Sequence, residues 1–130
     1  MKVLILITMV FCHIIDDFVL QSQGILALMK QEQWWKDNAP EDLYKYDYIV
    51  ALFMHSFSWA FMTMIIPTIY LFVTESFIWW HLLFLFIWNI CIHAVVDDLK
   101  ANKKKINLIL DQSIHMVQII CTWIIMIAMI

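Results

Sequence analysis

The sequence predicts an all-α membrane protein: an antiparallel four-helix transmembrane bundle with a short interfacial helix after the first span. Three observations predict it. The composition is 64% hydrophobic, with a single glycine in 130 residues, and mean hydropathy is +0.81, far above the half-apolar makeup of an ordinary soluble domain. Four apolar stretches approach or exceed the roughly 20 helical residues that a bilayer core of about 30 Å requires. Inside them His and Asp recur four residues apart, as His13 with Asp17, His93 with Asp97, and Asp111 with His115. A helix brings residues at that spacing onto one face.

The first span, about residues 3–20, is the weakest because Asp16 and Asp17 interrupt it. It is expected to be retained, since Met9, Val10 and Phe11 before Cys12 lack the small side chains that a signal or lipoprotein peptidase reads. Gly24 predicts a break. Ile25 to Trp35 then mixes apolar residues with Lys30, Gln31 and Glu32, as an interfacial helix would, with Trp34 and Trp35 at the headgroup boundary. Asn38, Pro40, Glu41 and Asp42 predict the start of the next helix, whose span covers about 48–73. Pro67 is expected to kink or end it. The connection Thr74, Glu75, Ser76 is short, so the span at about 76–96 should lie antiparallel beside its predecessor. The last span covers about 107–130, and the whole chain, 1–130, reads as one integral membrane domain. Cys12, Cys91 and Cys121 have no paired spacing and are expected to be buried small hydrophobes.

All eight basic residues are lysines, and they set the orientation. Lys30, Lys36 and Lys45 precede the second span, and Lys100, Lys103, Lys104 and Lys105 precede the fourth. The positive-inside rule makes both loops cytoplasmic and leaves both termini outside.

With about 1.5 Å of rise per residue, Asp17, Asp97 and Asp111 fall near the cytoplasmic ends of their helices, and His13, His93 and His115 one turn deeper. The Asp111 and His115 pair is reversed in sequence, as a returning helix requires. His55 reaches a similar depth, so every span contributes to one polar cluster. Carboxylates in a membrane helix are costly, about 2.5 to 3.5 kcal/mol each near the centre. No lysine is expected deep enough to pair with the imidazoles, although Lys100 could reach the outer carboxylates. Protons or a metal must compensate. Mixed imidazole and carboxylate donors suit a divalent transition metal, zinc first, as one or two ions. A lone His and Asp pair could be a simple interhelical hydrogen bond; three at matched depth favour an ion. Asp16 and Asp98 point about 100° from their neighbours and are expected to support the ligands or face water. His81, beside Trp79 and Trp80, is expected at the opposite interface.

The motifs HxxxDFxLQ (His13, Asp17, Phe18, Leu20, Gln21), HxxxDxxK (His93, Asp97, Lys100) and DQxxH (Asp111, Gln112, His115) resemble a family of small integral membrane proteins of unknown function from bacteria and phages. The resemblance implies a phage or prophage protein of the bacterial inner membrane, with Gln21, His55, Lys100 and Gln112 joining the site. Asp16 stands where many relatives are expected to have glycine. A looser similarity to membrane-bound metal-dependent hydrolases is analogy only.

The leading functional expectation is a metal-dependent hydrolase acting on a lipid or lipid-linked phosphoester at the cytoplasmic leaflet. His13, Asp17, His93, Asp97, Asp111 and His115 would hold metal, His55 would be a ligand or the general acid/base, and Lys100 would meet the substrate phosphate, with Gln21 and Gln112 orienting the headgroup. The alternative is a non-enzymatic membrane effector that binds a host membrane protein, or an ion or proton conduit. Against a conduit, only Thr63, Thr68, Thr74 and Glu75 continue the polar path outward. Haem held by two histidines would leave the aspartates unexplained. Nucleic acid is not an expected partner, since the Lys100 to Lys105 run serves as an orientation signal beside anionic lipid. A homo-oligomer is an open expectation.

Overall fold

With few prolines and a single glycine to interrupt it, so apolar a chain satisfies its backbone polar groups internally by forming helices. The structure, a computed structural model, describes residues 1–21, 25–75 and 78–128. All regular elements among the described residues are helical: α1 (Lys2–Ile14), α2 (Ile25–Met29), α3 (Glu32–Asn38), α4 (Asp47–Val73), α5 (Trp79–Ala101) and α6 (Leu108–Ile127). Four segments are long and apolar enough to cross a membrane: Lys2–Leu20, Asp42–Val73, Trp79–Ala101 and Leu108–Ile127. The expected break at Gly24 and the expected span ends at Ser76 and Ile130 lie outside the described residues.

The first span is not one uniform α-helix. After Ile14 it widens into a π-helical turn, Ile15–Leu20, closed by Gln21 N–H to the Asp16 carbonyl at 3.0 Å. The wider turn changes the angle between successive side chains, and π turns recur where a helix must aim residues at a site. Asp16 is fully buried. Of the two expectations for it, supporting the ligands or facing water, the second is corrected, because the turn directs it into the bundle.

The predicted interfacial stretch is two short helices, α2 and α3, separated at Lys30 and Gln31, where Gln31 is extended (φ −97°, ψ 120°). Trp35 fastens the pair by donating its indole N–H to the Met29 carbonyl at 2.7 Å. The start predicted around Asn38 and Pro40 is also corrected. Asn38 ends α3, with its amide on the Trp34 carbonyl at 2.8 Å, and a 3-10 turn over Asp42–Tyr44 precedes α4. Pro67 does not end α4, which continues to Val73. α5 extends about one turn beyond the predicted end at Val96, which brings Lys100 onto the same helix as His93 and Asp97. Asn107 caps α6 by accepting from Leu110 N–H at 2.9 Å.

Contacts between helices follow a regular order. On α1 and α6, Lys2 O accepts from Trp123 Nε1 at 2.9 Å while His13 Nε2 meets Gln112 Oε1 at 3.0 Å. On α4 and α5, His55 meets His93 and Met64 meets Asn89. On α5 and α6, Lys100 meets Asp111 and Asn89 meets Thr122. In each pair, higher numbers on one helix meet lower numbers on the other. The two lysine-bearing connections also meet, because Asn102 accepts from Glu32 N–H at 2.8 Å and donates to the Lys30 carbonyl at 3.2 Å.

Two apolar groups close the interior. Ile5, Met9, Trp59, Ala60, Ile90 and Ile119 form one, and Met64, Leu71, Leu82, Leu85 and Met126 form the other, further from the lysine-bearing connections. Large apolar side chains such as Phe11, Phe53, Phe84, Trp88 and Ile124 also cover the outside, as lipid contact would favour and water would not. Cys91 and Cys121 are exposed and Cys12 partly so, all as free thiols. The expectation of burial is wrong for the first two. Cys91 lies two residues, about 200° of helix rotation, from buried His93, and so faces outward.

Candidate metal centre

Every candidate residue named from the sequence is brought to one cluster between α1, its π turn, α4, α5 and α6. Asp97 is its centre. Its Oδ1 faces His115 Nε2 at 3.3 Å and His93 Nε2 at 3.9 Å, and its Oδ2 faces His55 Nε2 at 2.7 Å. His115 Nε2 is also 3.4 Å from Asp111 Oδ1. His93, His115 and Asp111 are fully buried, and Asp97 is nearly so. Two groups of three have ligand atoms within 4.8 Å of one another and could hold a metal ion: His93, Asp97 and His115; and Asp17, His55 and His93. Donors about 2.0 to 2.1 Å from a tetrahedral ion lie about 3.3 Å apart, which the His115 and Asp97 pair matches at 3.3 Å and the His93 and Asp97 pair exceeds at 3.9 Å.

His13 stands apart from both groups. Its Nδ1 accepts the Trp59 indole N–H at 2.6 Å, so Nε2 carries the proton and donates to Gln112 Oε1 at 3.0 Å. Neither nitrogen keeps a lone pair for an ion. The expectation that His13 is a ligand is corrected: the lone pair is used by a tryptophan whose approach depends on the tertiary fold. Asp111 belongs to neither group either. It lies beside His115 and accepts from Lys100 Nζ at 2.7 Å and from Gln112 Nε2 at 3.0 Å.

The amides organise the imidazoles. Gln112 Nε2 also reaches Asp17 Oδ2 at 3.4 Å, so this side chain joins His13, Asp17 and Asp111. Gln21 donates to Asp16 Oδ2 and its Oε1 meets His55 Nδ1, while Ser58 donates to Asp16 Oδ1 at 2.7 Å. A carboxylate accepts only, so Asp16 fixes the orientation of the Gln21 amide, and the amide oxygen fixes the proton of His55 on Nδ1. Nε2 of His55 is left facing the cluster with its lone pair. Orienting partners of this kind hold metal-binding histidines in place.

Ring packing adds rigidity. His93 stacks on Trp59 with centroids 4.4 Å apart and on His115 at 4.2 Å. Several buried polar atoms are left without a hydrogen-bond partner: Asp17 Oδ1, Asp111 Oδ1, and Nδ1 of His93 and of His115. Such atoms are costly to bury and call for something to bind them.

Two features were not foreseen. Lys30 enters the cluster, with Nζ 2.5 Å from Asp97 Oδ2 and 3.0 Å from His55 Nε2, which corrects the expectation that no lysine lies deep enough. A second buried polar layer lies beyond the histidines, where Asn89 bonds Thr122 at 3.0 Å and Gln118 at 2.9 Å. Its sequence signal was available: Asn89, His93 and Asp97 repeat at four residues, and Asp111, His115, Gln118 and Thr122 follow one helix face. At the other edge, Asp98 pairs with Lys103 at 2.8 Å, and this hydrogen bond holds the exposed Lys103 ammonium above its ordinary pKa.

No protein-family model, curated protein or solved structure matches this chain.

Proposed function

We propose that the chain is an antiparallel four-helix bundle of the bacterial inner membrane that binds one divalent transition ion, zinc first, at His93, Asp97 and His115. The opposed order of the interhelical contacts supports the antiparallel arrangement, and the meeting of the two lysine-bearing connections supports a shared cytoplasmic side.

The observation that carries the metal reading is a charge balance. Four buried or nearly buried carboxylates, Asp16, Asp17, Asp97 and Asp111, face two ammonium groups, Lys30 and Lys100. When all are ionised and the imidazoles are neutral, as metal ligation requires, two negative charges remain in an interior where unpaired charge is strongly penalised. A single divalent ion cancels them. Elemental analysis of the purified protein should find one transition ion per chain, lost in His93→Ala and His115→Ala. Protein that is folded and free of metal would refute the reading.

The reaction class we assign is hydrolysis of a lipid or lipid-linked phosphoester at the cytoplasmic leaflet. A bound ion would polarise a phosphoryl oxygen and acidify water. His55 Nε2, which faces the Lys30 ammonium at 3.0 Å, would serve as the general base once that ammonium moves aside, and Lys100, one-third exposed, stands at the rim as a point charge for phosphate. Phosphate release from lipid phosphoesters in vesicles, abolished by chelation, is the test.

A second, non-enzymatic reading is favoured by one observation, the complete burial of His93, His115 and Asp111. An ion there would fix the bundle while the α2 and α3 segment meets a host membrane protein. In that case chelation lowers the melting temperature and no vesicle substrate turns over. A conduit is not favoured, because Met64, Leu71, Leu82, Leu85 and Met126 form an apolar layer beyond Asn89 and Gln118.

A further inference from the structure

Asp97 divides the cluster into two positions. Oδ1 faces the pocket of His93 and His115, where the proposed ion sits. Oδ2 faces His55 Nε2 at 2.7 Å, and the unpartnered, nearly buried Asp17 Oδ1 lies 3.9 Å from the same nitrogen. A carboxylate with one oxygen toward each of two cation positions is the arrangement of a bridging ligand. The second position is filled by Lys30 Nζ, 2.5 Å from Oδ2 and 3.0 Å from His55 Nε2.

We propose that Lys30 is a tethered cation standing in for a second metal ion, so that it sets how many ions the site holds. This rests on the metal reading above. His55 has only one lone pair to give, since its Nδ1 proton is committed to Gln21. That pair accepts either the Lys30 ammonium or a metal, not both. The lysine is delivered by the turn between α2 and α3, whose backbone Asn102 holds from both sides at Lys30 O and Glu32 N–H. With the ammonium withdrawn, His55, Asp17 and Asp97 Oδ2 present the imidazole and carboxylate donors that zinc takes. The candidate group here, Asp17, His55 and His93, shares His93 with the first; with His93 serving the first ion, Asp97 Oδ2, 2.7 Å from His55 Nε2, is the carboxylate beside the second.

The test is metal stoichiometry of the full chain in detergent, titrated with zinc. Wild type should bind one ion per chain tightly, Lys30→Met two, and Lys30→Arg one, because arginine keeps the charge. Adding Asp17→Asn to Lys30→Met should return the count to one. One ion in both wild type and Lys30→Met overturns this proposal alone; no ion in either overturns the metal reading with it. Should Lys30→Met not fold, the wild type still decides. Its Lys30 amine should resist acylation at one zinc per chain and become reactive as a second, weaker zinc binds, and an amine equally reactive throughout refutes the idea.

Discussion

Trp59 and His13, on different spanning helices, are joined by an indole N–H to Nδ1 bond of 2.6 Å, and this bond removes a histidine from the candidate ligand set. His13→Ala is therefore expected to keep its metal, unlike His93→Ala and His115→Ala. It should still be less stable by about 1 to 3 kcal/mol, the cost of leaving a buried donor unpaired. Elemental analysis and denaturant unfolding of the same preparations would check both halves. Loss of the ion with retained fold would mean that His13 is a ligand after all.

Gln112 touches no candidate metal position directly but holds three groups around it: His13, Asp17 and Asp111. Replacing it with leucine, similar in bulk, leaves those groups without their shared amide. Asp111 lies 3.4 Å from His115 Nε2, so loosening it disturbs one ligand of the proposed ion, and the expected effect is about a 10-fold to 100-fold loss of zinc affinity, the usual result of removing an outer partner of a metal site. Calorimetric titration in detergent measures it, and an affinity within twofold of wild type would count against the assigned role.

Much of this site is legible in the sequence because helical spacing is local. His93 with Asp97 and Asp111 with His115 are joined across one turn, so their shared face follows from their numbers alone. The spans were legible for the same reason, as length and hydropathy decide them. What could not be read depended on tertiary contacts. Lys30 lies in a connecting segment and reaches Asp97, 67 residues away, only because Asn102 binds its turn. The diversion of His13 depends on Trp59, 46 residues on. The π turn that buries Asp16 has no proline or glycine to announce it. Asn89, Gln118 and Thr122 are a different case, since their periodicity was visible and attention to charged residues passed over it.

Asp111 is fully buried, and its Oδ2 pairs with the Lys100 ammonium at 2.7 Å. Lys100→Met should destabilise the protein by about 1 to 3 kcal/mol. That is less than the loss of a partner from a fully buried pair, because a third of the Lys100 side chain is exposed. Coupling Lys100→Met to Asp111→Asn should recover most of the loss, since the neutral amide no longer needs a counter-charge. A double-mutant cycle on unfolding free energies reads this directly. Additive losses would show that the two side chains act independently.

The layer of Asn89, Gln118 and Thr122 sets a comparable test of polar packing inside a membrane bundle. Asn89 is its hub: its Oδ1 accepts from Gln118 at 2.9 Å and Thr122 at 3.1 Å, and its Nδ2 donates to the Leu85 carbonyl at 2.9 Å. Asn89→Leu removes the side-chain partner of Thr122 and leaves Gln118 Nε2 only the Asn89 backbone carbonyl at 2.9 Å, and at roughly 0.6 to 2 kcal/mol per interhelical hydrogen bond should cost about 1 to 4 kcal/mol. The triple change Asn89→Leu, Gln118→Leu, Thr122→Val removes donors and acceptors together, and should cost less than the single one, because no polar atom is left unpaired. The zinc content of both variants should match wild type, since none of the three belongs to either candidate metal group. If the triple variant is instead the less stable, the layer stabilises the bundle beyond satisfying its own atoms. A fall in zinc content would extend the metal site's support one layer deeper.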